Sequence, residues 1–223
     1  MNNSIIIVAG GSGTRMGATL PKQFIEVGGK PILMHTIERF AAFDATIDIV
    51  VVIPEEHHLF WHEECKKHHF TVIHKVVAGG KERFYSVKNG LDAVSAKATV
   101  IGVHDGVRPL VSTDTIKRCF DTARATGSAI PTTAVVESLR HRNADGTTAA
   151  VPRAEYLSVQ TPQCFDADLL RRAYHQQFST LFTDDASVVE ALGHPITTID
   201  GDPDNIKITT PKDLAILQAH LSQ

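Results

Sequence analysis

Three short segments of the sequence carry residue types that can handle phosphate. Gly10-Gly-Ser-Gly-Thr-Arg-Met-Gly17 directly follows an apolar run, and its glycines, Gly11 and Gly13 among them, allow backbone N–H groups to converge on an anion. Arg15 lies inside this loop and Lys22, in Pro21-Lys22-Gln23, lies just beyond it, so two fixed cations flank a phosphate-sized nest. Neither standard phosphate-loop pattern fits. A dinucleotide fingerprint needs glycine where Met16 stands, and a Walker A loop needs a G-K-[ST] ending that is missing here. The set suits phosphoryl or nucleotidyl transfer; the plainer reading is a glycine turn with a solvated Arg and Lys.

The other two segments end later apolar runs. His104-Asp-Gly-Val-Arg-Pro109 places Asp105 where a carboxylate can hold Mg²⁺ bridging phosphate oxygens, with Arg108 adding charge or bracing the loop. The alternative is a turn aspartate capping the next helix. Ala78-Gly-Gly-Lys-Glu-Arg83, followed by Ser86, is a glycine turn opening a helix, able to read a base or simply to start that helix. His57, His58 and His62, with Cys65, His68 and His69, form a further cluster in which His58 and His62 sit one helical turn apart. A zinc ion could use such residues, but H-E-x-x-H is missing, and the preferred reading is a solvated face of an outer helix remote from the strand ends. Trp61 within it reads as an anchor onto the sheet.

These segments need strands and helices to position them. Ser4–Ala9, Asp48–Ile53, Thr71–Val77 and Thr99–His104 are β-branched runs of the kind buried on both faces of a sheet. Pro31–Phe43, Arg83–Val94 and Thr113–Ala125 have helical apolar spacing between them. The β-α-β-α alternation predicts an α/β fold, a Rossmann-like mostly parallel sheet with helices on both faces and its ligand crevice at the carboxyl ends of the strands. Between Val135 and Thr161 the alternation breaks: Glu137–Arg142 and Val151–Arg153 read as polar strands around an Asp145-Gly146 turn, a projecting β-hairpin arm. Helices from Asp166 and Asp184, strands near Ile196–Ile199 and Ile206–Thr209, and a helix from Pro211 follow. No repeat or linker divides the chain, so residues 1–223 read as one domain with 135–160 as its arm.

Composition narrows the partners. The 223 residues carry 22 Lys+Arg against 25 Asp+Glu, a net charge of −3 that provides no field for nucleic acid. The three cysteines, without a C-x-x-C, suit a reduced cytoplasmic compartment. Ile5–Ala9 is too short and too uncharged in front for a signal peptide, and no run approaches the ~20 residues of a membrane helix.

The motifs Ala9–Met16, Pro21–Gln23, Gly79–Arg83 with Ser86-Val87, His104–Pro109, Thr161-Pro-Gln163, Thr183-Asp-Asp-Ala-Ser187 and Asp204-Asn-Ile-Lys-Ile-Thr209 occur in one order along the chain. Together they resemble the 2-C-methyl-D-erythritol 4-phosphate cytidylyltransferases of the non-mevalonate isoprenoid pathway. The resemblance implies that a phosphate oxygen of methylerythritol phosphate attacks the α-phosphorus of CTP and expels pyrophosphate. Arg15, Lys22 and Lys207 would contact phosphate; Gly11, Gly13, Gly80, Arg83, Ser86, Asp105 and Gly106 would hold the nucleotide; Asp105 would hold Mg²⁺. Ser138, Arg153, Thr161 and Thr183 would hold the acceptor, a sugar-alcohol phosphate, with the hairpin arm of a homodimer partner taking part. Two departures are Ser138 where threonine is usual and Gly106-Val107 where Ala-Ala is usual. The rivals are a ribitol-5-phosphate cytidylyltransferase, against which Asp204-Asn205 argues, and a non-catalytic nucleotide-binding module, against which the retained Arg15, Lys22, Asp105 and Lys207 argue. A nicotinamide oxidoreductase is disfavoured by the failed dinucleotide fingerprint.

Overall fold

The computed structural model describes residues 2–11 and 20–222. In chain order its elements are β1 (Asn3–Val8), the two-residue strands β2 (Glu26–Val27) and β3 (Lys30–Pro31), α1 (Ile32–Phe43), β4 (Asp48–Ile53), α2 (His58–Lys67), β5 (Lys75–Ala78), α3 (Arg83–Ala93), β6 (Val100–Asp105) and α4 (Thr113–Thr126). There follow β7 (Ser128–Ala134), β8 (Arg140–Arg142), β9 (Thr148–Ala150), β10 (Leu157–Val159), β11 (Gln163–Asp166), α5 (Ala167–Ala173), α6 (Asp185–Glu190), β12 (Thr198–Asp200) and α7 (Pro211–Leu221). No helix among the described residues is long and apolar enough to cross a membrane.

The main sheet runs β10-β7-β11-β6-β1-β4-β5, with β12 also on β7. β4, β5 and β6 continue the direction of β1, and the chain leaves β1 on one side for β4 and later returns on the other for β6. That reversal between β1 and β6 is the topological switch point, where an α/β sheet opens a crevice at its carboxyl edge. The register sets Val8 opposite Asp105 there.

Alternation along the strands divides the core. Ile5, Ile7 and Val51 face Leu33, Phe40, Trp61 and Phe120 on one side, while Ile6, Val50 and Val52 face Phe84, Val87, Leu170 and Val189 on the other. A third cluster joins Leu217 of α7 to Ile32, Val107 and Ile208. The helices begin where capping chemistry allows: Ser112 accepts from the Thr115 N–H, and Asp166 from that of Leu169. α6 opens on an Asp184/Ser187 capping box, and α7 on a Thr210/Asp213 box with Pro211 at its start.

Several sequence expectations need correction. β7 and β11 were not expected, and β11 runs antiparallel between β6 and β7. Thr71–His74 lies outside β5, which begins only at Lys75. Ile206–Thr209 forms no strand; Ile208 is buried against α7, and its N–H reaches Val107 O at 2.9 Å, so its apolar character serves packing rather than a ladder. In the arm the second strand is Thr148–Ala150, because Pro152 starts a 3₁₀ turn over Arg153–Glu155.

The helix that bears Arg83 and Ser86 lies close on the sheet. A Cβ at Gly90 would come within 2.6 Å of Ile6 Cγ2 and 3.1 Å of Val52 Cγ2, so only glycine lets α3 approach this far. Gly90→Val is therefore expected to destabilise the fold by about 1–3 kcal/mol through overpacking, read as a lower denaturant midpoint.

Candidate active site

The crevice at the switch point is a cavity of about 310 Å³ whose walls include Gly11, Lys22, Gly80, Arg83, Asp105 and Lys207. It falls at the lower end of the volumes typical of small-molecule sites. A larger depression of about 660 Å³ lies at the opposite end of β4, among Ile47, Ile49 and Ile73, and gathers no comparable set of cations.

Asp105 is the last residue of β6, and its Oδ2 takes Arg108 Nε at 3.0 Å and Lys207 Nζ at 3.1 Å. Burial alone would raise this carboxyl, but Lys207, Arg108 and Arg83 together hold it well below the ordinary carboxylate range. Its backbone N–H donates to Thr161 Oγ1 at 3.1 Å. His104, wholly buried, completes the arrangement: since its Nε2 lies 3.1 Å from the Arg108 carbonyl, Nε2 carries the proton, and Nδ1 accepts from the Thr161 hydroxyl at 3.0 Å. Thr161 is thus engaged behind Asp105. Burial pushes the His104 imidazole down to about 4.

The 200-region is tied to the same point. Arg108 Nη1 donates to Asn205 O at 2.8 Å, and Asn205 Nδ2 donates to Thr161 O at 2.8 Å. Lys207 therefore hangs from a loop anchored on both sides of Asp105.

Lys22 belongs to a 3₁₀ turn, Lys22–Phe24, whose other side chains are both buried. Gln23 Nε2 donates to Ala9 O at 2.6 Å, and the Phe24 ring meets those of His57 and Phe60 edge-on at 5.5 and 5.2 Å. The turn is pinned to the end of β1 and to the start of α2. The histidine-bearing segment is therefore less remote than expected: it supports the turn that carries Lys22, and His58 Nε2 reaches Ile53 O at 3.3 Å, at the carboxyl end of β4. Among the described residues, the metal-capable donors that converge are Glu26, Glu64 and His68 rather than His58, His62 and Cys65. The Lys67 ammonium already lies 2.6 Å from Glu26. Trp61 is buried and donates to His74 Nε2 at 3.0 Å, an anchor as expected.

On the other wall, Ser86 Oγ accepts from Gly80 N–H at 3.0 Å and closes the turn before α3. A Cβ at Gly80 would lie 2.3 Å from Tyr85 Cβ, so this turn requires glycine. Gly106 donates its N–H to Val8 O at 2.8 Å, and its carbonyl accepts from Thr36 Oγ1 at 3.0 Å. It welds β6 to β1 at the crevice floor, where an added Cβ would come within 2.8 Å of Ala9 Cβ.

The expected acceptor residues are dispersed in one chain. Thr183 is exposed just before α6, whereas Ser138 and Arg153 stand exposed at the base of the arm, with Arg153 Nη1 donating to Val136 O. Gly13 and Arg15 lie outside the described residues. Sequence reasoning assigned no role to Gln163, Asp185 or Asn205, although all three stood inside quoted motifs. Tyr174, whose hydroxyl donates to Asp185, left no sequence signal.

Fold and site together define a Rossmann-like nucleotidyltransferase. The model of the 2-C-methyl-D-erythritol 4-phosphate cytidylyltransferase family matches residues 4–223, and the chain belongs to that family. Proteins of that name from Bacteroides thetaiotaomicron and Porphyromonas gingivalis are 53% and 50% identical, covering 99% and 97% of this chain and 100% and 96% of their own. The solved 4-diphosphocytidyl-2C-methyl-D-erythritol synthase of Anaerococcus prevotii superposes with a TM-score of 0.84 at 27% identity, covering 100% of this chain and 99% of its own. The 2-C-methyl-D-erythritol 4-phosphate cytidylyltransferase of Thermus thermophilus gives 0.80 at 29% identity, covering both chains completely.

Burial lowers the imidazoles of His35, His74 and His104 below the ordinary 6.5. In each case the unfolded chain takes up a proton at a pH where the folded chain does not. Stability is thus fully present above 6.5 and is lost as pH falls through the window down to about 4 for His104. Chemical denaturation at pH 7 and pH 5 should show a drop of about 2 kcal/mol from His104 alone.

Proposed function

We propose that the chain transfers the cytidylyl group of CTP to 2-C-methyl-D-erythritol 4-phosphate, through the crevice built around Asp105, in isoprenoid precursor biosynthesis. A phosphate oxygen of the acceptor forms a bond to the α-phosphorus as the bond to pyrophosphate breaks. The acceptor oxygen is ionised at neutral pH, so no side chain need act as nucleophile or base. The work left to the protein is alignment and charge neutralisation. The observation that carries this reading is the convergence of Lys22, Arg83 and Lys207 on one cavity with Asp105 at its floor.

Lys22 and Lys207, carried by separate segments of the lining, are assigned to the triphosphate, together with Arg15. The glycine loop through Gly11 and Gly13, and the turn closed by Gly80 and Ser86, are assigned to the nucleotide. Arg83 and Gly106 shape its seat. Asp105 suits Mg²⁺, which favours one or two carboxylates supplemented by substrate phosphates and water. Both of its resident cation contacts fall on Oδ2, and triphosphate oxygens would offer Lys207 a competing partner. When bound, the ion would neutralise phosphate charge.

The arm supports a homodimer in which one protomer's Arg153 and Ser138 complete the acceptor site of its partner alongside Thr183, while Thr161 braces Asp105 from behind. Val136, Tyr156, Leu157 and Val159 expose 77%, 45%, 54% and 42% of their surface, an apolar strip that a second copy would cover. A reduced cytoplasmic setting fits the three free cysteines.

Pyrophosphate release with CTP, Mg²⁺ and methylerythritol phosphate tests the assignment; release with ribitol 5-phosphate instead would overturn it. Lys22→Ala and Lys207→Ala should each lower kcat by about 10²–10³ with a smaller change in CTP affinity, as loss of transition-state electrostatics does. Arg153→Ala should raise the acceptor KM and leave the CTP KM near normal. Sedimentation should give a dimer, and the combined replacement Val136→Ser, Leu157→Ser and Val159→Ser should give a folded monomer with impaired acceptor use.

A further inference from the structure

Asp185 and Tyr174 are absent from the cavity lining, yet both bear on a residue that forms it. Arg83 presents Nη1 and Nη2 to the two oxygens of Asp185 at 2.8 and 2.5 Å, a bidentate fork. The Tyr174 hydroxyl donates to Oδ1 of the same carboxylate at 2.6 Å. Asp185 has no exposed surface, and Tyr174 is buried against Phe84, with ring centroids 4.8 Å apart. The Asp185 backbone is held as well: Gln163 Oε1 accepts from Ala186 N–H at 2.9 Å, and Gln163 Nε2 donates to Asp184 at 2.8 Å. One carboxylate, fixed by β11, α5 and α6, therefore aims a guanidinium that rises from the first turn of α3.

A buried ion pair is an inefficient staple, since apolar residues of similar volume usually serve as well or better. Its particular capacity is geometric: it selects one orientation of a long, flexible side chain. Arg83 keeps 34% of its side-chain surface exposed, whereas Asp185 exposes none, so the arginine alone looks outward.

Resting on the cytidylyltransferase reading, we infer that Asp185, oriented by Tyr174, is a positioning residue that fixes Arg83 for CTP binding. Because Asp185 matches its charge, Arg83 contributes aligned hydrogen-bond donors and a flat surface to the nucleotide rather than net charge.

The test is a double-mutant cycle on steady-state kinetics, using Arg83→Ala, Asp185→Asn, the combined variant and the near-isosteric Tyr174→Phe. Asp185→Asn should raise the CTP KM about tenfold and Tyr174→Phe about threefold, with the methylerythritol phosphate KM within about twofold of wild type. The combined variant should be no worse for CTP than Arg83→Ala alone. An unchanged CTP KM in both Asp185→Asn and Tyr174→Phe, with only a lower melting temperature, would reduce the pair to a staple and overturn the inference. Fully multiplicative losses in the combined variant would also overturn it, since Asp185 would then act independently of Arg83. If the wild type releases no pyrophosphate, it is the activity reading that fails; calorimetric CTP affinities of the same proteins then decide the positioning role by the same criteria.

Discussion

The carboxylate of Asp105 is the interaction on which the rest of the site depends. It sits at the switch point of the sheet and accepts two cations, one three residues ahead and one from the 200-region. Without it, the largely buried Arg108 guanidinium would lose its carboxylate partner beside a second cation, Lys207, at a cost to folding. With it, the loops at 105–108, 160–163 and 205–208 are drawn into one network through Thr161, His104 and Asn205. The neutral, buried His104 extends this network inward, meeting Phe40 edge-on at 4.8 Å.

The same device recurs across the crevice. Arg83 is balanced by Asp185 as Lys207 and Arg108 are balanced by Asp105. Arg83 and Lys207 therefore reach the crevice already paired, which lowers the cost of assembling like charges and fixes their directions in advance. Such preorganisation is what a reaction dominated by charge neutralisation asks of its protein. The net charge of −3 conceals this arrangement, because it sums an acidic body and a cation-rich pocket.

Legibility in the sequence followed the strength of local signals. Ile5–Ile7, Val50–Val52 and Val100–Val103 are continuous β-branched or apolar runs, and their strands appeared within a residue or so of expectation. The capped helices from Asp166 and Asp184 also stood where their capping residues placed them. β7 escaped notice because Pro131 and two threonines interrupt its pattern, and β11 because four residues starting with Gln163 are too few to display a period. β11 becomes a strand because β6 offers an edge on which to pair, and β7 pairs in turn on β11. Ile206–Thr209 erred the other way: its alternation mimics a strand although Ile208 is buried by α7.

By itself the sequence determined the motif chemistry, the α/β alternation, the strand-end placement of Asp105 and the family resemblance, because each is written in short local segments and their order along the chain. Only the tertiary structure decided which charges meet. Arg83 and Asp185 are separated by 102 positions, and Lys207 joins Asp105 across a comparable span. Thr161, grouped with the acceptor from its motif, proved to have its hydroxyl engaged behind Asp105. The physical reason is that hydrogen-bond and ion-pair partners are chosen by proximity in the folded state. A one-dimensional pattern records which side chains are available and leaves their pairing to the packing of the sheet.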